Sequence, residues 1–65
     1  MAELRDMITD KILFAHVRSK GLTIRKLDGE YRVRVPGNPN ADYFTKDRLD
    51  AFDTANAMRR ELDNA

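Results

Sequence analysis

The sequence predicts an α+β domain, a two-layer α-β-β-β-α arrangement with a three-stranded antiparallel sheet and both helices packed on one face. Three observations lead there. Apolar residues recur at helical spacing at each end of the chain. Between them, "LTIRKLDGEYRVRV", residues 22–35, alternates apolar and polar residues about an Asp28-Gly29 turn. "PGNPN", residues 36–40, then interrupts the chain before a short aromatic run, "ADYFT". Helices and a sheet that are each apolar on one side bury those sides against each other, and two layers are the simplest way for this order of elements.

The first stretch, "AELRDMITDKILFAHVRSKG", has no proline, and its only glycine stands at its end. Leu4, Met7, Ile8, Ile12, Phe14, Ala15 and Val17 recur at roughly helical spacing, which predicts a helix from about 4 to 20. Lys20-Gly21 is a suitable stop, and Thr9 is an alternative N-cap. On one continuous helix, Leu4, Ile8, Ile12 and Ala15 fall on one side, while Met7, Leu13, Phe14 and Val17 spread over another. A helix with a single buried face needs less apolar surface than that. The first set is expected in the core. The second is either the flank of a deeply placed helix, with one or two apolar residues exposed, or a face for a partner. The simplest partner is a second copy in a homodimer, meeting Met7, Leu13 and Val17 across a two-fold axis.

Asp28-Gly29 fits a type I′ hairpin turn, whose two central positions both need positive φ. That turn sets Leu27 opposite Glu30, Lys26 opposite Tyr31, Arg25 opposite Arg32, Ile24 opposite Val33, Thr23 opposite Arg34 and Leu22 opposite Val35. Alternation then places Leu22, Ile24, Tyr31, Val33 and Val35 on the core side. Thr23, Arg25, Leu27, Glu30, Arg32 and Arg34 share the other side. A slip of one residue would turn the apolar set outward, so the register is well specified. Residues 36–40 read as a turn cluster and 41–45 as a third strand, antiparallel to the second. Alternation alone does not decide between Tyr43 and Phe44. Phe44 is preferred inward, because Tyr43 can keep its hydroxyl wet at an edge.

In the last segment Thr45 or Asp47 can cap a helix. Leu49, Phe52, Ala55, Met58 and Leu62 form one stripe, with Ala51 beside it. Asp47 and Asp50 near the start and Arg59 and Arg60 near the end suit the helix dipole. The expected core is Leu4, Ile8, Ile12, Ala15, Leu22, Ile24, Tyr31, Val33, Val35, Phe44, Phe52, Ala55, Met58 and Leu62.

Length and composition narrow the function. With 65 residues, the chain is one domain that buries only about 60% of its unfolded surface. It has no cysteine and a single histidine, which excludes disulfides and the usual zinc ligand sets. Good packing or oligomerisation must support it. No apolar run approaches the ~20 residues of a membrane span, and "MAELRDMITD" lacks a secretory pattern. A cytosolic protein is the default, and no cofactor is expected. His16 stands alone, with Ser19 too near a helix end to form a catalytic elbow. Asp47, Asp50 and Asp53 recur every three residues, but no glycine-bent loop concentrates them as in calcium sites. Capping and solvation account for them. The reading is therefore non-enzymatic.

One constellation stands out against a net charge of only +1. Arg25, Arg32 and Arg34 would project from the sheet face away from the helices, flanked by Tyr43. Arg25 and Arg32 are placed directly opposite each other, where like charges repel. A sheet selected for stability alone more often carries Glu or Thr there. The pattern points to an anionic partner, either nucleic acid or an acidic protein surface. The competing reading is that Glu30 and Asp42 neutralise the row and arginine only keeps the sheet soluble.

The order α-β-β-β-α also resembles the double-stranded-RNA-binding domain, which has a similar size. That family carries a lysine-rich start to its second helix. The matching positions here are Thr45-Lys46-Asp47-Arg48, followed by Asp50 and Asp53, so only Lys46 and Arg48 correspond. The family's histidine-bearing hairpin loop is absent, the first turn being Asp28-Gly29 alone, and its activity is not carried over. Separately, "EYRVRVPG" followed by "YFTKDRLDAFDTANAM" is similar to short uncharacterised bacterial proteins, some phage- or prophage-associated, over about the last half of the chain. That resemblance brings no specific activity and implies an accessory or regulatory role over a metabolic one.

Overall fold

The computed structural model describes residues 7–64, so Leu4, expected in the core, lies outside the described residues. The elements are α1 (Asp10–Ser19), β1 (Thr23–Leu27), β2 (Glu30–Val35), β3 (Asn38–Thr45) and α2 (Arg48–Asp63). The three strands form one antiparallel sheet in the order β1-β2-β3. This is the α+β class and element order expected from the sequence.

Among the described residues, α1 begins later than the predicted 4–20. Thr9 is its N-cap, with extended backbone (φ −86°, ψ 168°) and a side-chain oxygen that accepts from the Ile12 amide at 3.2 Å. A β-branched residue with a hydroxyl is better suited to that role than to a helix interior. The interruption resets the helical phase. Counted from Thr9, Leu13 and Val17 lie within about 40° of each other on the helix circumference, and both are fully buried. Ile12 is 47% exposed and Ala15 is exposed, so neither belongs to the core as expected. Ile8 is buried, but from a position outside α1. At the other end, the Leu22 amide donates to the Val17 carbonyl at 3.2 Å and the Gly21 amide to that of Arg18 at 3.0 Å. With Gly21 at φ +74°, these two bonds form a Schellman closure, and buried Leu22 follows it into the sheet.

The hairpin has the predicted register over five pairs, and the expected Leu22–Val35 pair lies beyond the end of the ladder, because β1 starts at Thr23. Thr23 pairs with Arg34, Ile24 with Val33, Arg25 with Arg32, Lys26 with Tyr31 and Leu27 with Glu30. Asp28 and Gly29 take φ of +53° and +78°, as a type I′ turn demands. The third strand departs from expectation. It starts at Asn38 instead of about 41, and the turn before it is Pro36-Gly37 alone. Gly37 at φ +82° supplies the positive φ that a Pro-Gly type II turn requires. Pro39 is tolerated because β3 is an edge strand, where a missing N–H costs no ladder bond on the free side.

The β2–β3 register then shifts. Val35 pairs with Asn38, but Val33 pairs with Tyr43 and Arg32 with Phe44. Opposite the single residue Arg34, β3 therefore has four residues, Pro39 to Asp42. Residues opposite each other share a face, so Tyr43 lies on the side of Val33, and Phe44 lies on the side of Arg32. Phe44 is 53% exposed, which corrects the expectation that it points inward. The Tyr43 hydroxyl donates instead to Asp50 Oδ2 of α2 at 2.7 Å.

The buried cluster brings together residues of both helices and of the sheet. It contains Leu13 and Val17 of α1, Ala51 and Ala55 of α2, Ile24, Tyr31 and Val33 of the strands, with Ile8 and Leu22. Phe14, Val35, Leu49, Phe52 and Met58 pack around it partly buried. The alanines let the α2 backbone come close to its neighbours, which larger residues would prevent. Leu62, in the last turn of α2, is left exposed and does not join the core as expected. Of the two candidate caps, Asp47 fills the role, accepting from the amides of Leu49 at 2.8 Å and Asp50 at 3.4 Å. Thr45 Oγ1 accepts from the Asp47 amide just before it.

Candidate functional site

The open face of the sheet is built by the register just described. Across the three strands, Arg25, Arg32 and Phe44 form one row, because Arg25 pairs with Arg32 and Arg32 with Phe44. Leu27, two residues along β1 from Arg25, is 76% exposed. Lys46 follows Phe44 at the end of β3. A shallow groove of about 660 Å³ runs over this end of the sheet, lined by Arg25, Leu27, Glu30, Arg32, Phe44 and Lys46 among others. Its lining also takes Phe14, Ile24 and Lys26. Ile24 and Lys26 face the other way on β1, so the groove wraps the free edge of that strand.

The arginines differ in their partners. Arg34 Nε donates to Asp42 Oδ1 at 3.3 Å, and this carboxylate is well covered. Asp42 thus neutralises Arg34, as the competing reading requires. Arg25 and Arg32 make no ion pair with any described residue, and neither does Glu30. The Arg32 guanidinium lies 6.0 Å from the Phe44 ring centroid, at the outer range of a cation–π contact. Arg25 and Arg32, two of the cations without an ion pair to a described residue, thus stand in the row that ends at Phe44.

Tyr43, expected to flank the arginines, lies on the opposite side of the sheet and is tied to α2. Phe44 stands where Tyr43 was expected. Of Met7, Leu13 and Val17, the alternative partner face, Leu13 and Val17 are core residues and Met7 is exposed, as the reading of a deeply placed helix has it. Lys46 and Arg48, the two positions matching the double-stranded-RNA-binding pattern, are separated. Lys46 lines the groove, whereas Arg48 sits at the start of α2 and adds its positive charge to the surroundings of Asp10.

On the helix side, the polar residues have structural partners. Asp10 accepts from Lys26 Nζ at 2.8 Å and from the Tyr31 hydroxyl. The hydrogen bond from Lys26, then that from Tyr31, holds the Asp10 carboxyl below its usual range. Asp10 in turn raises the Lys26 ammonium, and burial followed by the Asp10 hydrogen bond raises the Tyr31 phenol. His16 stacks on Phe52 at 3.6 Å, nearly parallel, and its Nε2 bonds Asn56 Oδ1 at 2.9 Å. Its ring is thus a bridge between α1 and α2. The Ser19 hydroxyl donates to the His16 carbonyl, not to the ring. Among the described residues no group of three or more His, Cys, Asp or Glu is placed to hold a metal ion. Among them, too, no helix is long and apolar enough to cross a membrane.

No protein-family model, curated protein or solved structure matches the chain. What the open face can bind follows from its own chemistry.

Proposed function

We propose that the protein is a non-enzymatic interaction module whose open sheet face takes an anionic partner. The observation that carries this is the Arg25–Arg32 pair. Two arginines are register partners on adjacent strands, and neither has a carboxylate ion-pair partner among the described residues. Like charges in that position destabilise a sheet. An anion bound between them turns the repulsion into two charge-assisted hydrogen bonds, the kind of contact arginine makes with phosphate and carboxylate. Lys46 extends the basic row along the groove, and Arg34 widens it beside Asp42.

The test is a residue-by-residue NMR titration at low salt with mixed nucleic acid and, separately, with an oligoglutamate peptide. The expected result is a set of shifts confined to Arg25, Arg32, Arg34, Phe44 and their neighbours. For a single-stranded ligand that engages three cations, log K should fall with log salt at a slope of about −2. Spectra that stay unchanged with every polyanion at low salt would refute the proposal.

A further inference from the structure

We infer that the open face binds single-stranded nucleic acid, with an unpaired base stacked on Phe44 and phosphates held by Arg25, Arg32 and Lys46. This rests on the anionic-partner reading of the same face and narrows it to one class. Phe44 is the reason. A large ring on the solvent side of a sheet serves neither core nor solubility, and it shares a row with the two unneutralised arginines. Adjacent strands lie roughly 4.8 Å apart. Arg32 is therefore one strand spacing from Phe44, and Arg25 two. Base and phosphate of one nucleotide are separated only by the sugar, so a base on the ring brings its phosphates within reach of both long side chains.

The alternatives use less of the face. A duplex keeps its bases stacked inside and presents only sugar and phosphate to a flat surface, which leaves the ring without a partner. An acidic peptide pairs with the arginines but makes no use of Phe44 or of Leu27. An unstacked base meets the ring through its π-face, the usual sequence-tolerant mode of single-strand binding. The Arg32 guanidinium near that ring adds a second plane for stacking. Arg34 is engaged by Asp42 and plays the smaller part.

The experiment uses the full chain with a labelled oligothymidylate of about ten nucleotides, a duplex of the same length and an oligoglutamate peptide. Affinity is read by fluorescence anisotropy at low salt for wild type, Arg25→Gln, Phe44→Leu and Phe44→Trp. Both positions are on the open face, and circular dichroism checks that each variant retains the fold. The chain has no tryptophan, so emission from Phe44→Trp reports on this position alone. The expected result is preference for the oligothymidylate over the duplex and about a 5- to 150-fold loss in Phe44→Leu, the range for removing one stacked base. Phe44→Trp should retain binding and be quenched by the single strand. If Phe44→Leu binds as wild type while Arg25→Gln is weakened, or if duplex or oligoglutamate binds as well as the single strand, the inference is overturned and the anionic-partner reading stands. If none of the three ligands binds, both fall.

Discussion

The phase of α1 decides which of its apolar residues hold the fold together, and paired alanine substitutions measure it. Leu13 is fully buried and Ile12 is 47% exposed. Each replacement by alanine removes about three methylene equivalents, worth roughly 0.8 kcal/mol each when fully buried. For Leu13 the full transfer loss applies, and the cavity left in a core of so few residues adds to it. The expected cost is near 3 kcal/mol, inside the ~2–5 kcal/mol range of such substitutions. For Ile12 about half the transfer loss applies, and the better helix propensity of alanine offsets part of that. The expected cost there is about 0.5–1 kcal/mol. A chain of this length has a total stability of only about 3–10 kcal/mol. At about 4–8 °C per kcal/mol for a small domain, Leu13→Ala should lower the thermal midpoint by roughly 12–24 °C and Ile12→Ala by only a few degrees. Thermal and urea unfolding followed by circular dichroism give both values. Equal losses, or a larger loss in Ile12→Ala, would show that Ile12 faces the core and would refute the packing described here.

Two further predictions concern the polar network and the hairpin. The folded-state pKa of Asp10 is depressed, so its contribution is fully present above the ordinary carboxylate value of about 3.9 and disappears as pH falls through the lower folded value. The stability difference between wild type and Asp10→Asn should therefore be largest near neutral pH and shrink in acid. Urea midpoints that differ as much at pH about 2.5 as at pH about 7 would contradict this linkage. At Gly29 an added Cβ meets nothing within 4 Å, so Gly29→Ala carries only the backbone penalty of a left-handed φ, about 1–2 kcal/mol. Gly29→Asn should cost clearly less, because asparagine tolerates that conformation, and chemical denaturation of the two variants gives the order.

The legible parts of the fold are those where two independent signals agree. The hairpin has a two-residue period and a turn dipeptide that allows one geometry, and together they set every pair from Thr23–Arg34 to Leu27–Glu30. The second helix is readable for the same reason, from an acidic cap at Asp47 and an apolar stripe that begins two residues later at Leu49. The first helix is not, because its periodicity from Leu4 to Val17 looks continuous while a single hydroxyl at Thr9 restarts it. Ile8 and Ile12 keep helical spacing in the sequence, yet only Ile8 is buried. Of the candidate site, the hairpin alone sets Arg25, Arg32 and Arg34 on one face, whereas the sequence favours Tyr43 beside them and the structure has Phe44 there.

The exchange of the two aromatics follows from one register shift. If β3 continued from the Val35–Asn38 pair without interruption, Arg32 would face Ala41 and Glu30 would face Tyr43. Tyr43 would then flank the arginines and Phe44 would turn toward the helices, as the sequence suggests. The observed offset inserts three residues opposite Arg34. Because three is odd and side chains alternate with period two, the insertion exchanges the two aromatics. The exchange lets the Tyr43 hydroxyl reach Asp50 and tie the edge strand to α2. It also leaves half of a phenylalanine ring in water, forgoing about 1 kcal/mol of burial. The sheet thus carries two local costs in one row, the opposed arginines and the exposed ring. Neither improves the free protein, and a ligand with both a phosphate and an unpaired base relieves both at once.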